Sequence, residues 1–142
     1  MKVLAYDPFV KETEIKVDIY GTSGVIVKLS TVSLEDVYKQ SDFITLHVPG
    51  GELITSKEFE LMKQGVVLVN AARGGVINEN GLIAALNSGK VAHTGLDVFK
   101  GEPQPNADLL NHSKISLTPH IGAATNEAQK RIGIELAEKP LE

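Results

Sequence analysis

The chain has 142 residues, 42% apolar and 23% charged, which suits one ordered globular domain and excludes a disordered chain. With 14 Lys and Arg against 18 Asp and Glu, its net charge of −4 offers no basic footprint for nucleic acid and no polybasic patch for a membrane. The lack of cysteine excludes disulfides, thiolate metal sites and thiol catalysis; with no signal-peptide pattern and no run of roughly 18 apolar residues, a soluble cytoplasmic protein is expected.

Residues 2–6 form a short apolar run that predicts a strand stopping at Asp7, where Pro8 biases the backbone toward an extended conformation. Residues 15–20 alternate apolar and polar side chains, residues 25–29 are β-rich, and Gly21 and Gly24 lie between them. A hairpin is the natural local reading. Ser33 caps a short helix whose first turn carries Glu35 and Asp36. Residues 42–48 predict a strand ended by Pro49, Gly50 and Gly51, and a helix follows over 56–63 with Ser56 as its cap. Gly65 releases the chain into the unbroken apolar strand 66–70, a run that suits a parallel sheet covered on both faces. After a turn at 71–75, Asn78 caps a helix holding Leu82, Ile83, Ala85 and Leu86, which stops at Gly89. Residues 91–98 predict a further strand, 100–106 a polar loop, 114–118 a last short strand and 123–138 a helix. Leu141 and Glu142 read as a cloning scar. The second half thus alternates strand and helix with short connections, so the expected class is α/β, a parallel sheet with flanking helices.

In such a sheet, ligands bind in the crevice outside the carboxyl ends of the strands. Each predicted strand ends there in something reactive or permissive: Asp7, then His47 with Val48 and Pro49, then Arg73 beside Gly74 and Gly75, then Asp97, with His120 after the last. A carboxylate such as Asp7, ending an early strand, suits the hydroxyls of an adenine ribose and repels a 2′-phosphate, which favours NAD over NADP. Seen alone, Asp7 reads as the start of an Asp-Pro turn. Arg73 can approach a ligand closely and grip a carboxylate with both prongs of its guanidinium; seen alone, it is a turn arginine. His120, in the run TPHIG at 118–122, suits proton transfer near neutral pH, and Glu102 is a carboxylate able to fix its tautomer. Seen alone, His120 is a histidine at a helix start. His47, His93 and His112 fit no metal-ligand spacing, and no metal is expected. A phosphate cradle is missing: Gly-x-Gly-x-x-Gly normally stands about 20 residues before the ribose acid, and no two glycines of this chain are two apart.

Four runs carry a family resemblance: SDFITLHVP at 41–49, VNAARGGVI at 69–77, TGLDVF at 94–99 followed by GEP at 101–103, and TPHIGA at 118–123. In kind and order they resemble the NAD-dependent D-2-hydroxyacid dehydrogenases, and EAQ at 127–129 is most like the D-3-phosphoglycerate dehydrogenase branch. The resemblance covers nearly all of residues 1–138. It implies a Rossmann-like cofactor domain, NAD as cofactor and a small 2-hydroxyacid or 2-oxoacid as substrate. It implies that Arg73 binds the substrate's carboxylate and keto oxygen, that His120 exchanges a proton with the oxygen on the reacting carbon, and that Glu102 is the partner of His120. Asp7 then matches the adenosine-ribose acid, and His47, Val48 and Pro49 match the wall beside the adenosine half. Ala71 and Arg73 approach the nicotinamide half, Asp97 matches the carboxamide partner, and His120 and Gly122 join the cofactor site.

Measured against that family, the substrate domain, the first Rossmann strand, its glycine loop and its helix are missing from this sequence. Residues 10–30 also read as a hairpin where a helix is usual. The expectation is a partial NAD-binding domain over 1–138, cut before its second strand, with a tail at 139–142. Three functions are compatible with it: part of a dehydrogenase, a non-catalytic NAD-sensing corepressor on the same fold, or a folded fragment with no function of its own. The family dimerises through this domain, so a homodimer is expected. In it, residues 2–6 and 42–48 pair directly or are repaired by exchange with a second copy, residues 15–29 being the element swapped.

Overall fold

The computed structural model describes residues 1–20, 24–122 and 124–138. An antiparallel hairpin, β1 (Glu12–Val17) and β2 (Val25–Ser30), precedes a parallel sheet. That sheet holds β3 (Phe43–Leu46), β4 (Val66–Asn70), β5 (Val91–Leu96) and β6 (Ile115–Leu117), side by side in chain order. The helices are α1 (Leu34–Gln40), α2 (Ser56–Leu61), α3 (Glu79–Asn87), α4 (Ala107–Leu110) and α5 (Asn126–Glu138). The expected α/β class, with its alternation of strand and helix in the second half, is what forms. The turn residues 21–23 and the tail 139–142 lie outside the described residues, as does Ala123, the first residue of the helix expected over 123–138.

Side-chain caps set where the helices begin. Ser33 Oγ accepts from the Asp36 amide at 3.0 Å, and Asn78 Oδ1 accepts from the Gly81 amide at 2.9 Å. The cap of α2 is Thr55 rather than Ser56: the Glu58 carboxylate reaches back to the Thr55 amide at 2.8 Å while Thr55 Oγ1 accepts from the first turn. That reciprocal pair satisfies two donors that a cap one residue later would leave open. Gly89, at φ +76°, follows α3 in the left-handed conformation that a glycine adopts without strain. The four-residue α4, just past the loop expected over 100–106, is too short to show helical periodicity in the sequence.

Register sorts the sheet into two faces. Ile44, Leu68, Thr94 and Ile115 stand in one row, and Leu46, Asn70 and Leu96 in the next. These rows bury into a core with Tyr38, Ile54, Phe59, Leu82 and Leu86. α1 packs on α2, α2 on α3, and α3 on both β5 and α4, so four helices make a single layer against this face. The opposite rows carry Phe43, Val67 and His93, then Thr45, Val69, Gly95 and Ser116. There Phe43 is 76% exposed and Val69 42%. The sheet expected to be covered on both faces is therefore covered on one, and α5 buries none of its residues.

Residues 2–6 form no strand, which corrects the expectation for them. A strand draws its hydrogen bonds from a neighbour, and this segment finds the chain leaving the hairpin instead. The Ala5 carbonyl accepts from the Val32 amide at 2.8 Å, and the Lys11 carbonyl from Thr31 at 2.9 Å. Direct pairing with β3 is not formed, and no described strand pairs with the outer edge of β3. Among the described residues, no helix is long and apolar enough to cross a membrane.

Candidate active site at the carboxyl ends of the parallel strands

Strands β4, β5 and β6 stop at Asn70, Leu96 and Leu117, and the residues just beyond them carry the candidate chemistry. β3 and β5 are shorter than expected, so His47 and Asp97 stand past the ladder rather than in it. The centre of the site is a pair: His120 Nδ1 lies 2.7 Å from Glu102 Oε2. An ionised carboxylate only accepts, so Nδ1 carries the proton and Nε2 is the nitrogen left to exchange one. The other oxygen, Glu102 Oε1, accepts from the Phe99 amide at 2.7 Å, which fixes the carboxylate at both ends. The His120 hydrogen bond first, then the Phe99 amide, hold the Glu102 carboxyl below the usual range.

His120 itself has φ +55°, a left-handed backbone that non-glycine residues seldom adopt. Asp97 holds the turn that imposes it. This carboxylate is buried, and its Oδ1 accepts from Thr118 Oγ1 at 2.6 Å and from the Ile121 amide at 2.9 Å. Its Oδ2 accepts from the Gly122 amide at 2.9 Å, where a Cβ on Gly122 would stand 3.0 Å away. Burial alone would raise the Asp97 carboxyl, but the hydrogen bonds from Thr118, Ile121 and Gly122 outweigh it and the group is held low. A carboxylate offers about four acceptor positions, so one remains for a ligand.

Arg73 is exposed, and its Nη1 donates to the Ala72 carbonyl at 2.7 Å. Among the described residues it makes no ion pair, which leaves the guanidinium open to an anion. Its loop packs directly on the Glu102 turn: a Cβ on Gly74 would fall 2.0 Å from the Phe99 carbonyl oxygen. Beside the pair lies an apolar cavity of about 430 Å³, lined by Phe99, Glu102, Pro103, Leu110, Leu117 and His120. The Arg73 loop, Glu102, Asp97, His120 and Gly122 are thus joined in one contact network.

Comparison with known proteins places this arrangement. The sequence profile of the D-isomer specific 2-hydroxyacid dehydrogenase NAD binding domain matches residues 1–122. The chain belongs to this family. It is 44% identical to hydroxypyruvate reductase of Thermotoga maritima, over 98% of this chain and 44% of that protein. It is 43% identical to D-3-phosphoglycerate dehydrogenase of Archaeoglobus fulgidus, over 97% of this chain and 25% of that one. The chain therefore spans less than half the length of these curated relatives. Among solved structures it superposes on a glyoxylate reductase from Paecilomyes thermophila with a TM-score of 0.69, at 44% identity, covering 74% of this chain and 33% of that chain.

NAD is the cofactor of this family. The dehydrogenase-family residues fit it unevenly. Asp97 keeps an acceptor position for an amide donor, and Ala71 and Arg73 stand exposed just past β4. Past β3, Val48 packs partly on the core, Pro49 is exposed, and His47 Nε2 is 3.1 Å from Thr45 Oγ1. Asp7 sits in a separate turn before β1, where its Oδ1 accepts from Phe9 at 2.8 Å and Val10 at 3.1 Å, and no hydrogen bond ties it to the other site residues. Sequence reasoning gave no role to Asn70, Thr118 or the Phe99 main chain. The one signal for Asn70 was a lone amide closing the apolar run 66–70.

Proposed function

We propose that this chain is the part of an NAD-dependent D-2-hydroxyacid dehydrogenase that carries Arg73, Glu102 and His120 and the later half of the NAD site. Its substrate class is a small 2-hydroxyacid or 2-oxoacid, in the manner of a D-3-phosphoglycerate dehydrogenase. The observation that carries this reading is the 2.7 Å contact between Glu102 and His120, one packed loop away from the open guanidinium of Arg73. Arg73 anchors the substrate's carboxylate and keto oxygen through charge-assisted hydrogen bonds. His120 Nε2 gives a proton to, or takes one from, the oxygen on the reacting carbon, while Glu102 stabilises the imidazolium through Nδ1. Bound NAD supplies the hydride acceptor, and its reduced form the donor. The names of the relatives support the substrate class: hydroxypyruvate, 3-phosphoglycerate and glyoxylate each carry an oxygen function beside a carboxylate.

In this reading Ala71, Arg73, Asp97, His120 and Gly122 hold the nicotinamide end. His47, Val48 and Pro49 wall the adenosine half, and Asp7 binds its ribose. Residues 1–138 are the domain part, and the protein works in the cytoplasm as a homodimer with strand exchange at the open edge of β3. The deciding experiment is Arg73→Ala in the full-length dehydrogenase. We expect kcat/KM to fall by about 10- to 100-fold, as loss of a hydrogen bond to a charged group predicts. The thermal midpoint should barely move, because the side chain is exposed. An unchanged kcat/KM overturns the assignment.

A further inference from the structure

We infer that Asn70 is a positioning residue for Arg73, shaping the loop that aims the guanidinium without touching substrate itself. The inference rests on the substrate-binding role proposed above for Arg73. Asn70 is 3% exposed, at the end of β4, in a row with apolar Leu46 and Leu96. A buried side-chain amide at such a place is costly unless its polar atoms find partners. Both of its arms find them in one loop. Asn70 Nδ2 donates to the Arg73 carbonyl at 3.0 Å, and Asn70 Oδ1 accepts from the Ala72 amide at 3.1 Å. Thr94, the buried polar residue one row away, instead bonds within the sheet, to the Leu68 carbonyl at 3.0 Å. An apolar side chain at position 70 would suit the core equally well, but it would leave the Ala72 amide and the Arg73 carbonyl without these partners.

The loop is held from its far side as well. Gly74 is pressed against the Phe99 carbonyl, with no room for a Cβ. The Asn70 carbonyl accepts from the Asp97 amide at 3.0 Å, tying the end of β4 to the strand end that organises the His120 turn. The Arg73 backbone is therefore fixed between the Asn70 amide on one side and the Phe99 main chain on the other. The guanidinium adds only its bond to the neighbouring Ala72 carbonyl. Its reach toward a carboxylate is consequently set by the path of residues 70–74, and Asn70 is the side chain that sets that path.

The test is a double-mutant cycle in the full-length dehydrogenase, with Asn70→Ala and Arg73→Ala made singly and together. Asn70→Ala should raise KM for the 2-oxoacid by about tenfold, the loss of one hydrogen bond between Arg73 and the substrate's carboxylate. In the Arg73→Ala background the same change should have no further effect on kcat/KM, because Asn70 acts only through Arg73. Effects of the two changes that multiply would overturn the proposal. Asn70→Asp keeps the acceptor for the Ala72 amide and removes the donor to the Arg73 carbonyl. It should shift KM in the same direction and serves if the alanine variant does not fold; an unaltered KM there also overturns the proposal. The failure of the underlying reading is seen separately, in an Arg73→Ala enzyme that keeps its kcat/KM.

Discussion

Asp97 has three donors converging on one buried carboxylate, and its lowered pKa makes the His120 turn sensitive to acid. A carboxyl whose pKa is lower folded than unfolded contributes stability that is present above its unfolded value of about 3.9. That contribution is lost as pH falls through the lower folded value. Glu102, held low by His120 and the Phe99 amide, follows the same sign. We therefore expect acid unfolding, followed by circular dichroism, to steepen below about pH 4. Asp97→Asn should be less stable at neutral pH, since its amide would turn a donor toward the Gly122 amide, and should show a flatter acid limb. An acid limb identical to that of the unsubstituted chain would contradict this account of the turn. Gly74→Ala is the complementary steric case. Its Cβ would sit 2.0 Å from a main-chain oxygen that cannot move alone, so denaturant unfolding should show a loss of about 1–3 kcal/mol or more. At this scale the motifs singled out Glu102 and His120, and the structure brings the two to 2.7 Å. Asn70 and the turn-holding bonds of Asp97 were not legible, because side-chain bonds to distant main chain depend on loop paths that spacing does not encode.

The elements differ sharply in how firmly they are held. Every residue of β1 is exposed, and β2 is exposed except for a half-buried Leu29, so the hairpin rests mainly on its own ladder. Two strands without a packed face are marginal in water, whereas β4 and β5 sit inside the sheet above a buried layer. Amide exchange should therefore be orders of magnitude faster in β1 and β2 than in β4 and β5, and equal protection would show that the hairpin is packed. Thr55→Ala should cost about 0.5–2 kcal/mol, the usual value of a cap, while Ser56→Ala should stay within about 0.5 kcal/mol. The hairpin was legible from its alternation, although its first strand runs Glu12–Val17 rather than over 15–20, and α1 and α3 were legible from their caps. The cap of α2 was misread by one residue, because Thr55 and Ser56 are both competent and only the Glu58 carboxylate decides between them. The strand expected at 2–6 was misread for a different reason: an apolar run says that a segment can pair, not that a neighbour is present.

For the whole molecule, the uncovered face of the parallel sheet and the open edge of β3 set its behaviour in solution. Parallel sheets normally have both faces covered, and an unpaired edge recruits other strands. A second copy of the chain brings the same exposed face and edge, so light scattering should find the 142-residue chain associated rather than monomeric. The apolar run 66–70 suggested a sheet buried on both sides, yet Phe43 and Val69 are exposed. Periodicity reports that a strand is apolar, not which of its faces finds a layer. The same scale governs the cofactor. A dinucleotide spans the whole crevice, and its affinity depends heavily on the pyrophosphate, held by glycine-loop amides and the positive end of the helix that follows. On the proposed assignment the nicotinamide end would have Arg73 and an acceptor position on Asp97, but no pair of glycines in the chain has the spacing of that loop. The 142-residue chain by itself should therefore bind NADH weakly or not at all. A fluorescence or calorimetric titration measures this directly. Sub-micromolar binding by this chain would show that the pyrophosphate is held by something other than such a loop.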